Sequence, residues 1–189
     1  MSLPAEPVLL LIDVQKGFDD PNWGVRNNPD CEANIGKLLD AWRQAKLPVW
    51  HVQHLSTDER SPLAPSKPGC EIKDFAKPLN GEPLIQKNVN SAFIGTSLEK
   101  DLREKNLHTL VLVGLTTNHC VSTTARMAGN LGFQTYVVAD ATATFDRMGP
   151  DGMIYSAEQV HKISLASLHH EFATVCTTAG LVRLINGKK

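Results

Sequence analysis

Hydrophobic positions along this chain alternate between two rhythms. Val8 to Ile12 and Thr109 to Val113 are short, β-rich runs with no polar interruption, the pattern of strands covered on both faces of a parallel sheet. Pro48 to Gln53, Pro83 to Lys87, Thr135 to Ala139 and Thr174 to Cys176 add four further strands, and Gly114 is expected to end the run that starts at Thr109. Between them the spacing turns helical. Ile35, Leu38, Leu39, Trp42 and Ala45 mark one face of a helix that Asn28, Pro29 and Asp30 open as cap, first-turn proline and first-turn acid, and that closes near Lys46. Leu98 and Leu102 follow a Thr96–Glu99 capping box, and Val121, Ala125, Ala128 and Leu131 run to a stop at Gly132. Leu165, Leu168 and Phe172 follow a Ser156–Gln159 box, and Leu181, Leu184 and Ile185 follow a Thr177 cap.

Strands alternating with helices predict a single-domain, three-layer α/β/α fold around a doubly wound parallel sheet with right-handed crossovers. A strand order of 3-2-1-4-5-6 makes the first and fourth strands neighbours where the order reverses, which is where open α/β sheets bind ligands. Two polar stretches punctuate the pattern: DATATFD after the fifth strand, read as a turn, and Leu55 to Pro83, which holds five prolines. The latter is an excursion within the domain, long enough to belong to a pocket or to an interface.

Composition narrows the functions. The chain has 189 residues, 42% of them hydrophobic, and a net charge of -1, so one sizeable core is expected and neither nucleic acid nor an anionic membrane surface is a natural partner. Cys31, Cys70, Cys120 and Cys176 are too scattered for a disulfide framework or a zinc site. With no membrane-length apolar run and no cleavage pattern at the start, a cytoplasmic protein acting on small molecules is expected.

Three reactive residues fall at strand ends: Asp13 after the first, Lys87 after the third, and Cys120 in the turn after the fourth. With Asn118 as N-cap, Cys120 would occupy a first helical turn, where free N–H groups bias a thiol toward thiolate. Asp13 beside Cys120 would supply a base, and Lys87 an electrostatic partner. The loop after the first strand carries Phe18 and Trp23, which can wall a pocket. His51 and His54, three apart on a strand, point to opposite faces and cannot share an ion unless the strand ends between them.

These motifs, LLLIDVQKGF, IQKNVNSAF and VGLTTNHCV, resemble the isochorismatase-like cysteine hydrolases, which include nicotinamidases and carbamoylsarcosine amidases; the likeness runs from about Pro7 to Ile185. The resemblance implies a catalytic triad of Asp13 as base, Lys87 as electrostatic partner and Cys120 as nucleophile. It also implies a cis peptide at Leu115–Thr116 and an oxyanion hole from the Thr116 and Cys120 backbone N–H groups. Gln53 and His54 stand where nicotinamidases carry an Asp-x-His metal pattern, so no metal and no organic cofactor are expected. The presence of Cys120 separates the chain from isochorismatases proper, which lack it and cleave an enol ether. The expected reaction is therefore hydrolysis of a C–N bond in a small amide or ureido compound through a thioester. Phe18, Trp23, Asn90, Asn118 and Tyr155 are candidate substrate contacts, and a homo-oligomer, dimer to tetramer, is expected. A thiol redox protein using Cys120 and a catalytically silent binding or assembly subunit are the alternatives.

Overall fold

The computed structural model describes Pro4 and residues 6–187. Its main sheet is six-stranded and parallel: β1 (Val8–Ile12), β2 (Val49–His54), β3 (Leu84–Lys87), β4 (Thr109–Leu115), β5 (Gln134–Ala143) and β8 (Thr174–Cys176), with β6 (Arg147–Met148) and β7 (Ile154–Tyr155) forming a separate antiparallel hairpin. The order across the sheet is β3-β2-β1-β4-β5-β8, which is 3-2-1-4-5-6 among its own strands. β1 and β4 are hydrogen-bonded neighbours with Ile12 opposite Gly114.

The two faces of the sheet sort the alternating side chains of each strand. Leu9 and Leu11 face α1 (Cys31–Gln44) and α5 (Thr178–Asn186) through Ile35, Leu38, Trp42, Leu181 and Ile185. Val8, Leu10 and Ile12 face α2 (Leu98–Glu104), α3 (Ser122–Asn130) and α4 (Ala157–Leu168) through Leu102, Ala125 and Leu168. Every residue of β1 and β4 is buried, and each large apolar side chain so placed contributes about 1.5–3 kcal/mol. No helix among the described residues is long and apolar enough to cross a membrane.

Several local expectations are corrected. β4 does not stop at Gly114 but runs to Leu115, with Gly114 at φ 115; a methyl group there would collide with the Ile12 carbonyl. The glycine lets β1 and β4 close together rather than ending the strand. The DATATFD stretch continues β5 to Ala143 past a register break, where Leu112 pairs with Val137 but Gly114 pairs with Thr142. Asn28 does not cap α1: its Nδ2 donates to the Ala139 and Thr142 carbonyls at 2.8 and 2.7 Å, which supports that irregular stretch from outside. Asp30 is the N-cap residue. Before α2 the Thr96–Glu99 box does not form, because Thr96 Oγ1 donates to the Ala92 carbonyl and Glu99 pairs with Arg103. The Ser156–Gln159 box does form, but α4 ends at Leu168, so Phe172 lies beyond it under the Arg126 guanidinium.

The excursion after β2 folds back onto its own chain. Ile72 bridges to Gln15, and Gly17 and Gly69 approach so closely that a side chain on either would strike backbone. The excursion thereby becomes a wall over the C-terminal edge of the sheet.

Candidate active site

Asp13 follows directly on β1, and its φ of 50 turns the chain away from the sheet at the strand's end. His54 ends β2 and Lys87 ends β3, paired in register. Lys87 Nζ donates to Asp13 Oδ2 at 2.7 Å, lies 3.4 Å from Cys120 Sγ, and sits 3.1 Å from His54 Nδ1. The Asp13 and Lys87 side chains are fully shielded from solvent. Asp13 Oδ1 is buried and has no hydrogen-bond partner among the described residues. The three predicted strand-end residues therefore meet at one point, joined by a histidine that the strand pattern had treated as separate.

Gln15 holds this edge in place, a role invisible in the sequence. Its Oε1 accepts from the His54 N–H at 2.8 Å, and its Nε2 donates to the His54 and Cys70 carbonyls at 2.9 and 2.8 Å. One buried side chain thus ties the end of β1 to the end of β2 and to the excursion.

Cys120 does not sit behind an Asn118 cap. After a cis peptide at Leu115–Thr116 the chain makes one π-helical turn, Thr117–Val121, in which the His119 and Val121 N–H groups both donate to the Thr116 carbonyl. Asn118 instead accepts from Thr144 Oγ1 at 2.5 Å, bracing the turn against the end of β5. Nor is the thiol biased toward thiolate in the resting protein. Burial and the neighbouring Asp13 carboxylate push it up to about 12, against the pull of Lys87. The same burial raises Asp13 above the usual carboxylate range despite the Lys87 bond. The resting pair is thus a thiol beside a carboxylate that is unusually willing to take a proton.

A cavity of about 140 Å³ opens onto the sulfur, lined by Phe18, Trp23, His54, Ser61, Leu63, Asn90, Thr116, His119, Cys120 and Arg147. It is far smaller than a drug-sized pocket of ~300 Å³ or more. Phe18, Trp23 and Phe145 pack against one another at ring separations of 5.4 to 6.4 Å, and Asn90 Oδ1 lies 3.9 Å from Cys120 Sγ. Of the five candidate contacts, Phe18, Trp23 and Asn90 are lining residues. Asn118 is turned toward Thr144, and Tyr155 is exposed on the β6–β7 hairpin, opposite Arg147, with its hydroxyl on Asp151. Ser61 and Leu63 come from the excursion, which settles it as part of the pocket wall. His119 and Arg147 carried no sequence signal beyond lying near motifs.

The residues present do not fit a metal ion. One ligand atom each from Asp13, His54 and Cys120 lies within 4.8 Å of the others, but the Lys87 Nζ stands 2.7 to 3.4 Å from all three residues. The cation at the centre of that group is the lysine. Gln53, at the position of the nicotinamidase aspartate, donates to the Cys70 carbonyl and accepts from Gln86.

The Isochorismatase domain model matches residues 7–180. An isochorismatase family protein of Bacillus subtilis is 49% identical, covering 92% of this chain and 93% of its own length. Nicotinamidase 3 of Arabidopsis thaliana is 28% identical over 95% of this chain and 88% of its own, and a ureidoacrylate amidohydrolase of Agrobacterium fabrum 27% over 82% and 84%. Among solved structures, an isochorismatase-family protein from Chromobacterium violaceum superposes with a TM-score of 0.95 at 41% identity, covering 99% of this chain and 97% of that one. A cysteine hydrolase from Pseudomonas syringae superposes at 0.88 with 26% identity over the full length of both.

Proposed function

Because the chain belongs to the isochorismatase family of hydrolases, we propose that it is a cysteine hydrolase cleaving a C–N bond in a small amide or ureido compound. The observation that carries this reading is the Lys87 bridge between Asp13 Oδ2 and Cys120 Sγ, with Asp13 Oδ1 left unpartnered. In the first step Asp13 Oδ1 takes the thiol proton as Sγ attacks the substrate carbonyl carbon, and Lys87 offsets the negative charge on the pair. The oxyanion is received by the Thr116 and Cys120 backbone N–H groups. The proton held by Asp13 passes to the leaving nitrogen, the C–N bond breaks, and a thioester on Cys120 remains. Water, deprotonated by Asp13, resolves it to acid and free thiol.

No organic cofactor or metal takes part in this scheme. The names of the amidohydrolase and cysteine hydrolase relatives agree with it, and the small cavity limits the substrate to a few heavy-atom groups. Four unpaired cysteines support a cytoplasmic, reducing location. Exposed Met148, Met153 and Ile154 on the β6–β7 hairpin support assembly into dimers to tetramers; light scattering at micromolar concentration tests this, and a monomer alone contradicts it. The function is tested by ammonia release over a panel of small amides and ureides with Cys120→Ala as blank. At least one compound is expected to be hydrolysed by the wild type and not by the variant; equal release by both contradicts the reading.

A further inference from the structure

Two buried side chains that the hydrolytic scheme leaves unused hold the turn that carries Cys120. Thr117, the first residue of the π-helical turn, is fully buried, and its Oγ1 shares a hydrogen bond of 2.9 Å with Nδ1 of His161, a buried residue of α4. On the other side of the ring, Nε2 lies 3.4 Å from Asn28 Nδ2, which donates to the Ala139 and Thr142 carbonyls. The ring thus stands where α4, the loop before α1, the broken stretch of β5 and the turn of the nucleophile meet. Burial holds its pKa below the ordinary histidine value, so at neutral pH it meets Thr117 as an uncharged hydrogen-bond partner.

A π-helical turn is rare and often marks a functional site. Here the difference from an α-turn falls on Cys120. In an α-turn its N–H would donate to the carbonyl four residues back, that of Thr116. In the turn observed, that carbonyl accepts from His119 and from Val121, and these bonds pass over the Cys120 N–H. An N–H kept out of that bond is a donor for an oxyanion. The wider form needs support from outside the turn, because nothing in its own backbone favours it over the α form. Thr117 and Asn118 supply two ties, to His161 on α4 and to Thr144 after β5, and the His161 tie is the more deeply buried of the two. Water competes least for a bond so placed.

We infer that His161 is a positioning residue for the hydrolysis: through Thr117 it holds the turn in its π-helical form and so reserves the Cys120 N–H for the oxyanion. The need for that donor rests on the proposed attack at a carbonyl, but the tie can be read without turnover. Labour at the site is then divided. Asp13 and Lys87 govern how readily the sulfur gives up its proton, and His161 governs how well the carbonyl oxygen is received once the sulfur has attacked. Two reagents separate these roles. Iodoacetamide alkylates the sulfur by displacing iodide and develops no oxyanion. Propionaldehyde adds reversibly: an S–C bond forms, the C=O π bond breaks, and the former carbonyl oxygen takes up the thiol proton, so this adduct depends on the oxyanion donors.

Alkylation of Cys120 by iodoacetamide is followed by peptide mass spectrometry over a range of propionaldehyde concentrations in the wild type, Thr117→Val, Thr117→Ser and His161→Phe. Without aldehyde, all four are expected to react at rates within about twofold of one another, because the base and its cation are untouched. The aldehyde concentration that halves the rate is expected to rise by about tenfold or more in Thr117→Val and His161→Phe, short of the roughly hundredfold or greater loss on deleting an oxyanion donor outright. Thr117→Ser keeps the hydroxyl and should restore the wild-type value. Lys87 is common to the series, so any aldehyde it captures cancels in the comparison. On a confirmed substrate the two disruptive variants should lower kcat by a like factor and leave KM within about twofold. Unchanged protection in both overturns the inference and leaves the nucleophile standing. So does loss of alkylation in step with loss of protection, the mark of a tie that serves the fold alone. If Thr117→Val misfolds, His161→Phe carries the comparison, and misfolding of both overturns the inference. A wild-type Cys120 that iodoacetamide does not modify, or that the aldehyde does not protect, contradicts the proposed function and with it the role of His161.

Discussion

Two clusters of charge, one partly exposed around Glu32 and one fully buried around Asp13, are built to opposite ends. In the first, Glu32 accepts from Arg26 Nη1 and Nη2 at 2.6 and 2.7 Å and from Lys73 at 2.9 Å, while Lys73 also holds Asp19 at 2.6 Å. Burial works against the Glu32 charge, but these bonds outweigh it and hold the carboxyl at about 2. In the second, Asp13 has a single bonded cation, Lys87, with the Cys120 thiol beside it, and burial wins, raising its pKa. The same residue types therefore give a fastening in one place and a proton acceptor in the other. What separates them is how deeply each carboxylate is buried and how many donors it receives there.

The comparison is broken most sharply by removing matched partners. Asp13→Asn and Lys87→Met are expected to lower turnover by about a hundredfold or more, the usual scale for losing a general base or its electrostatic partner, with the fold retained by circular dichroism. Glu32→Gln is expected to leave turnover within a few-fold yet lower unfolding stability by about 2–3 kcal/mol, since it leaves Arg26 and Lys73 underpaired. Denaturant titration beside a rate assay separates the two cases, and a reversal of these phenotypes would show that the clusters had been assigned the wrong way round.

Acid sharpens the contrast. A depressed carboxyl stabilises the fold above its unfolded value and loses that contribution as pH falls through the folded one. The share from Glu32 and from Glu82, which Arg43, His51 and the Leu79 N–H hold at about 2, is thus lost between the ordinary glutamate value of 4.5 and about 2. Turnover should fail earlier on the same descent, as the raised Asp13 takes up a proton. Rate and fold measured on one pH series should show activity lost while the protein is still folded; loss of both together would contradict the role of Asp13. The smallest effect is expected at Tyr155, whose hydroxyl donates to Asp151 on the exposed hairpin: Tyr155→Phe should change stability by no more than about 0.5 kcal/mol and leave kcat/KM within twofold.

The features legible in the sequence were those written in consecutive residues. Continuous apolar runs announced β1 and β4, and Asp13, Lys87 and Cys120 could be placed because strand ends share one edge of a parallel sheet. Features made by residues far apart in the chain were not legible. Asn28 looks like a cap until Ala139 and Thr142 arrive beside it, and Asn118 until Thr144 does. The thiolate expected of Cys120 failed for the same reason, because its proton affinity is governed by burial and by Asp13, 107 positions away in sequence, rather than by its own turn. Arg147 reads as one more surface cation; only the folded hairpin shows two of its nitrogens sealed in without a partner among the described residues.

The central claim is that Cys120 carries the acyl group. Acid quenching of the enzyme during steady-state hydrolysis of a confirmed substrate, followed by peptide mass spectrometry, tests it directly. The account predicts an added acyl mass on the peptide containing Cys120, absent from Cys120→Ala and removed by hydroxylamine. An adduct on another residue, or hydrolysis continuing at the wild-type rate in Cys120→Ala, would contradict it.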